Sequence, residues 1–106
     1  MAETSATGLY EIGTITGNGN ATRTYTFDFE PKCVMVWLKN YSPIKYDSVN
    51  DYTILSYGVA LNNGGYTLGL SLSGAKLTLN QSSSATNGIF TNLNTYLGQY
   101  MYIAFK

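Results

Sequence analysis

"TGNGNATRTYTFDFEPKCVMVWLKN", Thr16 to Asn40, holds a glycine turn, an alternating strand, a Pro-Lys break and a second apolar strand. Gly and Asn in "GNGN" tolerate positive φ, so Gly17 to Asn20 predicts a tight turn. Tyr25, Phe27 and Phe29 then alternate with Thr24, Thr26 and Asp28, the period of a strand with one buried face. Pro31 removes a ladder donor and marks a strand end. In "KCVMVWLK", Val34, Val36 and Leu38 point one way, and Cys33, Met35 and Trp37 the other. Both faces are apolar, whereas a two-layer sandwich packs only one face inward. The Cys33, Met35 and Trp37 face therefore needs a cover. Two candidates stand: the segment Tyr41 to Tyr52 folded across it, or another subunit.

The rest of the chain continues in the same idiom. "LYEIGTIT" (Leu9–Thr16) is short and β-branched. "TILSYGVAL" (Thr53–Leu61) predicts one strand, followed by a hairpin turn at "NNGG" (Asn62–Gly65). In "YTLGLSLSGAKLTLN", Tyr66, Leu68, Leu70 and Leu72 fall on one face, Gly74 interrupts, and Leu77 and Leu79 resume. "QSSSATNG" reads as a loop, "IFTNLN" as a short strand and "YLGQYMYIAFK" as the closing strand, with Met101, Ile103 and Phe105 alternating against Tyr100, Tyr102 and Ala104. Turn signals every few residues and no sustained helical period predict an all-β, antiparallel β-sandwich of about six to eight short strands. Residues 1–8 are small and polar and predict a flexible N-terminal lead-in. Residues 9–106 are expected to form a single β-sandwich domain.

Composition narrows the chemistry. Of 106 residues 11% are charged, the net charge is zero, and ten tyrosines with many Ser, Thr and Asn supply the polar surface. Phosphate binding needs clustered Lys and Arg, and the six here are scattered, so no nucleic acid is expected as a partner. No apolar run approaches a membrane span, so no membrane insertion is expected. The start "MAETSATGLY" lacks the basic and apolar regions of a secretory signal, which predicts synthesis in a cytoplasm. One cysteine, Cys33, excludes an internal disulfide.

Histidine, the commonest general base and metal ligand, is absent. One Cys cannot build a zinc site, and "GNGN" lacks the lysine of a phosphate loop. Asp28 and Glu30 sit two apart, as glycosidase carboxylates can, but beside Lys32 at a strand end they read as solvated charges. Cys33, in an apolar strand with no His to serve as base, reads as a small hydrophobe. Asp47, Asn50 and Asp51 offer oxygen ligands without the spacing of an EF-hand loop and read as a polar loop. No enzyme activity, no metal and no cofactor is expected.

The two ends of the chain carry a resemblance. Gly13, Ile15, Gly17 and Gly19, then Phe29, Pro31, Lys32 and Val34, then Asn94, Gly98, Tyr100, Tyr102, Ala104 and Phe105 resemble a domain found in bacteriophage and prophage tail and tail-fibre proteins. Asp28 stands where that domain commonly has Gly, and Ile15 where it commonly has an aromatic. The "F-x-F-x-P-K-x-V" and "Y-x-Y-I-A-F" elements also resemble, less closely, H-type lectin domains, which are trimeric sugar-binding sandwiches. The middle of the chain, Asn40 to Ser84, carries no such motif. The resemblance implies a virion tail protein, assembled as a homo-oligomer with a trimer favoured, associated with other tail proteins and contacting a bacterial cell-surface glycan or protein. A lectin-like adhesion module outside phage and a purely structural tail or decoration subunit are the alternatives. Tyrosine offers a flat apolar ring and a polar tip at low entropic cost. If a loop binds ligand, the candidates are Tyr41, Tyr46, Asp47, Asp51 and Tyr52; the alternative is that these rings pack over the Cys33, Met35 and Trp37 face.

Overall fold

The computed structural model describes residues 8–106, so all but the last residue of the expected N-terminal lead-in lies outside the described residues. Ten strands follow in order: β1 Tyr10–Thr16, β2 Thr22–Thr26, β3 Cys33–Leu38, β4 Ile44–Asp47, β5 Tyr52–Leu55, β6 Tyr57–Leu61, β7 Leu70–Ser73, β8 Lys76–Asn80, β9 Ile89–Thr91 and β10 Gln99–Phe105. The fold is all-β, with more strands than the six to eight expected. Three sheets form, with orders β1-β10-β3-β6, β2-β8-β7 and β4-β5-β9. All pairings are antiparallel except β5 with β9, which is parallel.

The first two sheets enclose the core. From the four-stranded sheet come Ile15, Val34, Val36, Leu38, Ala60, Tyr100, Tyr102 and Ala104; from the three-stranded sheet come Leu70, Leu72, Leu77 and Leu79. Phe27, just past β2, and Leu93, before β10, complete it. Tyr102 joins the layers: its ring lies 5.3 Å from Phe27 edge-on and 5.6 Å from Tyr25. Gly13, its partner across the β1–β10 ladder, leaves room for that ring, because a Cβ there would come within 2.6 Å of the Tyr102 hydroxyl oxygen.

Three sequence readings need correction. Thr53–Leu61 is not one strand: it breaks at buried Ser56, where β5 leaves the third sheet and β6 enters the first. Ser56 N–H donates to the Pro43 carbonyl at 2.8 Å, so the β4–β5 ribbon extends the β3–β6 pair rather than lying across the sheet. Tyr66 and Leu68 do not share the buried face of Leu70 and Leu72; both are exposed, because Gly69 at φ +90° turns the chain before β7 begins. Gly74, at φ +60°, closes the β7–β8 hairpin where the sequence placed a break.

One polar node locks the ends of the sandwich. Asn94 is fully buried. Its Oδ1 accepts from Asn18 N–H at 3.1 Å, and its Nδ2 donates to Asn18 Oδ1 at 2.6 Å and to the Asn20 carbonyl at 3.0 Å. Its own N–H donates to Gln81 Oε1 at 2.9 Å, and its carbonyl accepts from Gly19 N–H at 2.8 Å. The "GNGN" turn, the end of β8 and the approach to β10 are thus one network. Beside it, Gly17 donates to the Gly98 carbonyl at 2.8 Å, and a Cβ on Gly17 would collide with the Thr95 carbonyl oxygen.

Tyr100 anchors the same loop from below. Its hydroxyl donates to the Asn92 carbonyl at 2.7 Å and accepts from Thr95 N–H at 3.0 Å. Burial pushes its phenol up to about 12, against a smaller downward pull from that Thr95 N–H. Tyr102 is raised as well, by burial first and then by its hydrogen bond to Glu11, 2.6 Å away.

Two outcomes follow for stability. Asn94→Ala strands several partners of a buried group and is expected to cost about 2–4 kcal/mol, measured as a lower urea midpoint; Asn94→Asp, which sets acceptors against Asn18 Oδ1 and the Asn20 carbonyl, is expected to cost at least as much. A phenol whose folded value lies above its unfolded value of about 10 contributes fully below that pH and loses its contribution as pH rises through the folded value. Stability is therefore expected to fall between pH 10 and about 12, and Tyr100→Phe to flatten that fall.

Candidate functional site

The outer face of the four-stranded sheet is the largest feature not used by the core. Strand alternation that sends Val34, Val36 and Leu38 inward sends Cys33, Met35 and Trp37 outward, and β10 does the same with Met101, Ile103 and Phe105. Register aligns these into rows across all four strands. One row is Tyr10, Phe105, Cys33 and Leu61; the next is Ile12, Ile103, Met35 and Val59; the third is Thr14, Met101, Trp37 and Tyr57. Only Thr14 among the twelve is not apolar or aromatic, and its hydroxyl faces the Met101 sulfur at 3.5 Å.

Met35 and Trp37 each keep 39% of their surface exposed, and Ile12 keeps 61%. Among the described residues, the segment Tyr41 to Tyr52 does not cover them: Tyr41 and Tyr46 are themselves exposed. Sequence reasoning found β3's share of this face. It read the alternation of the closing strand too, but did not join Met101, Ile103 and Phe105 to the β3 face, which β1 and β6 extend further.

Four of the five loop candidates, Tyr46, Asp47, Asp51 and Tyr52, meet at the tip of the β4–β5 ribbon, where Asp47 pairs with Tyr52 and Asp51 N–H donates to the Asp47 carbonyl at 2.8 Å. Tyr46 donates its hydroxyl to Asp51 Oδ1 at 2.6 Å, and that bond, with smaller effects of burial and Asp47, raises the phenol. Asp47 Oδ1 accepts from the N–H groups of Val49 and Asn50 at 3.0 and 3.1 Å, while its Oδ2 accepts from Asn50 Nδ2 at 2.9 Å. The Asn50 side chain, then its backbone N–H, hold that carboxyl below its ordinary value. Asp51 sits at φ +58° in the same turn. These residues close the β4–β5 ribbon upon itself. Tyr52 stacks on Phe90, ring centroids 5.4 Å apart at 20°. No group of three His, Cys, Asp or Glu poised for a metal occurs among the described residues. Asp28 and Glu30 are both exposed.

Tyr41 lines a hollow apart from that ribbon. A cavity of about 400 Å³ opens between the turn after β3, residues 38–41, and the turn before β10, residues 95–99. The Lys39 N–H donates to the Gln99 carbonyl at 2.9 Å and ties the two turns together. Each carries a left-handed residue, Asn40 at φ +66° and Leu97 at φ +62°, and each presents an exposed tyrosine, Tyr41 and Tyr96. The sequence reading began the closing strand at Tyr96, but β10 begins at Gln99, because the chain turns through left-handed Leu97; Tyr96, Leu97 and Gln99 were therefore not singled out as lining a hollow.

Comparisons with protein-family models, with curated proteins and with solved structures give no match. Function has to be argued from these two surfaces and from the end motifs.

Cys33 offers a chemical probe of the outer face. Burial raises its thiol above the ordinary 9.0. Alkylation of the native protein is expected to show a pH midpoint above 9.0, falling to the ordinary value in urea. A native midpoint near 8 would require a cation beside the sulfur and contradict an apolar setting.

Proposed function

We propose that the chain is a non-enzymatic module of a bacteriophage tail or tail fibre that assembles with copies of itself, as a homotrimer, and contacts carbohydrate or protein on a bacterial surface. The observation that carries this reading is the apolar outer face of the four-stranded sheet. Four strands at ~4.8 Å and three rows of side chains span about 400 Å² in projection, and more over the relief of the side chains. That lies within the range of the largest apolar patch a monomer leaves exposed and below the roughly 600–1,000 Å² that each side of a standard interface buries, so assembly through it draws on flanking surface as well. The face has no charged side chain to select a partner of different chemistry, so a second copy of the same face complements it.

The width of the sheet admits three copies. Three sheets about 19 Å across, closed as a triangular prism, would each lie about 5.5 Å from the common axis, close to half the ~10 Å spacing of packed sheets. The end motifs supply the phage-tail half of the reading. Their residues have structural reasons to be there: Asn94 is the buried node, Gly17 admits the Thr95 carbonyl, and Tyr100, Tyr102 and Ala104 form the inner face of β10.

Light scattering on a sizing column should give about three times the 11.6 kDa chain mass over a wide concentration range. Met35→Glu puts a carboxylate in the middle row of the outer face without touching its inward neighbours Val34 and Val36. It is expected to weaken association by about 100-fold or more, as loss of a central anchor does at interfaces, while leaving the far-ultraviolet spectrum unchanged. A wild-type chain that remains monomeric at high concentration would falsify the assembly reading. A mass of two chains would keep self-association and remove the three-fold axis.

A further inference from the structure

We infer that the cavity between the turn after β3 and the turn before β10 is a saccharide site that prefers a sugar bearing a carboxylate. This rests on the receptor-contacting half of the proposed function and names its place and ligand class. Sugars present C–H faces that stack on aromatic rings and hydroxyls that need donors and acceptors. The cavity combines both: Tyr41 and Tyr96, 67% and 72% exposed, stand on its two walls, and Asn40, Thr95 and Gln99 supply amide and hydroxyl groups. A volume of about 400 Å³ lies within the range of small-ligand sites and suits one or two sugar rings.

The walls are built before any ligand arrives. The Lys39–Gln99 backbone bond joins them, Leu97 N–H donates to the Gly17 carbonyl at 2.9 Å, and Gly98 N–H donates to the Thr95 carbonyl at 3.0 Å. Left-handed Asn40 and Leu97 are held by these bonds in a conformation that non-glycine residues seldom adopt, a cost that surrounding structure must offset. A rigid wall lowers the ordering cost of binding. Among the described residues lining the cavity, Lys39 is the only charged side chain, and no carboxylate accompanies it. An ammonium on the sugar meets repulsion there, and a carboxylate meets attraction.

The test is a titration of the ¹⁵N-labelled full chain with glucuronate, glucose and glucosamine, read from backbone amide shifts, with the mass of the same sample measured alongside. Glucuronate is expected to shift amides of residues 39–41 and 95–99 saturably, glucose more weakly and glucosamine most weakly. Tyr96→Ala, at an exposed position, should weaken glucuronate binding about tenfold or more, the size of an aromatic contact. Lys39→Gln should erase the preference for glucuronate over glucose. Tyr46→Ala, on the β4–β5 ribbon, should change neither. Absence of saturable shifts at those amides with all three sugars overturns the site, as do shifts that survive Tyr96→Ala. A preference for glucosamine overturns the assignment of ligand charge. Silent amides in a trimeric sample remove the sugar site and leave assembly standing; pocket shifts in a monomeric sample do the reverse.

Discussion

The structure depends on the placement of β10 between β1 and β3. That one strand fixes the register of both neighbours, and so decides which side chains meet in the core and which meet solvent. Ordinarily the hydrophobic pattern sets register, because a slip of one residue would expose the core face. Here that safeguard is weak. Met101, Ile103 and Phe105 are more apolar than Tyr100, Tyr102 and Ala104, and both faces of β3 are apolar as well. What distinguishes the faces is polar and steric. The Tyr100 hydroxyl finds Asn92 and Thr95, the Tyr102 hydroxyl finds Glu11, and the Tyr102 ring finds the gap above Gly13. With β10 flipped, both phenols would turn to solvent and exchange these partners for water, at a net loss of about 0.5–1.5 kcal/mol per bond. A few hydrogen bonds thus perform the selection that polarity performs in a one-sided strand.

The same logic explains which parts of the fold were legible in sequence. β1, β3, β10 and the "GNGN" turn were readable because local alternation and turn chemistry agree with their tertiary setting. The two-faced character of β3 was readable too, and Cys33, Met35 and Trp37 do point outward. The break at Ser56 was not, since a serine inside an apolar run gives no local signal; it is buried because Leu38 N–H donates to its carbonyl and Asn92 Nδ2 to its hydroxyl. Tyr66 and Leu68 misled because their alternation is continuous with β7 on paper, and only the positive φ of Gly69 separates them. The parallel β5–β9 pair joins residues far apart in the chain, which short-range patterns do not encode.

The candidate site was less legible for a related reason. Tyr41, Tyr46 and Tyr52 look equivalent in sequence, yet Tyr41 lines the cavity between the two turns and the other two do not. Tyr46 is engaged with Asp51 and Tyr52 with Phe90, so both serve the ribbon itself. Tyr41 differs because the chain turns at Asn40 and the other wall arrives from residues 95–99, over fifty positions later. The irregular composition of the segment was a true sign of a turn-rich loop and a poor guide to which of its rings has room for a ligand.

The outer face and the cavity share β3 and β10, and this sharing would tie the proposed assembly to the proposed recognition. The cavity lies at the end of the sheet where β3 finishes and β10 begins. Copies arranged about an axis running along the strands would carry their cavities at one common end, facing one target. A single shallow saccharide site with two aromatic walls binds weakly, because few of the ligand's groups are enclosed. In the proposed trimer, three such sites held at fixed separation would convert later contacts into intramolecular ones, with avidity gains of about 10²–10⁴ without a new contact where the target presents sugars at matching spacing. An apolar assembly face and a polar rim on the same two strands make that arrangement economical: the hydrogen bonds that fix the register of β10 orient the assembly face and shape the rim together.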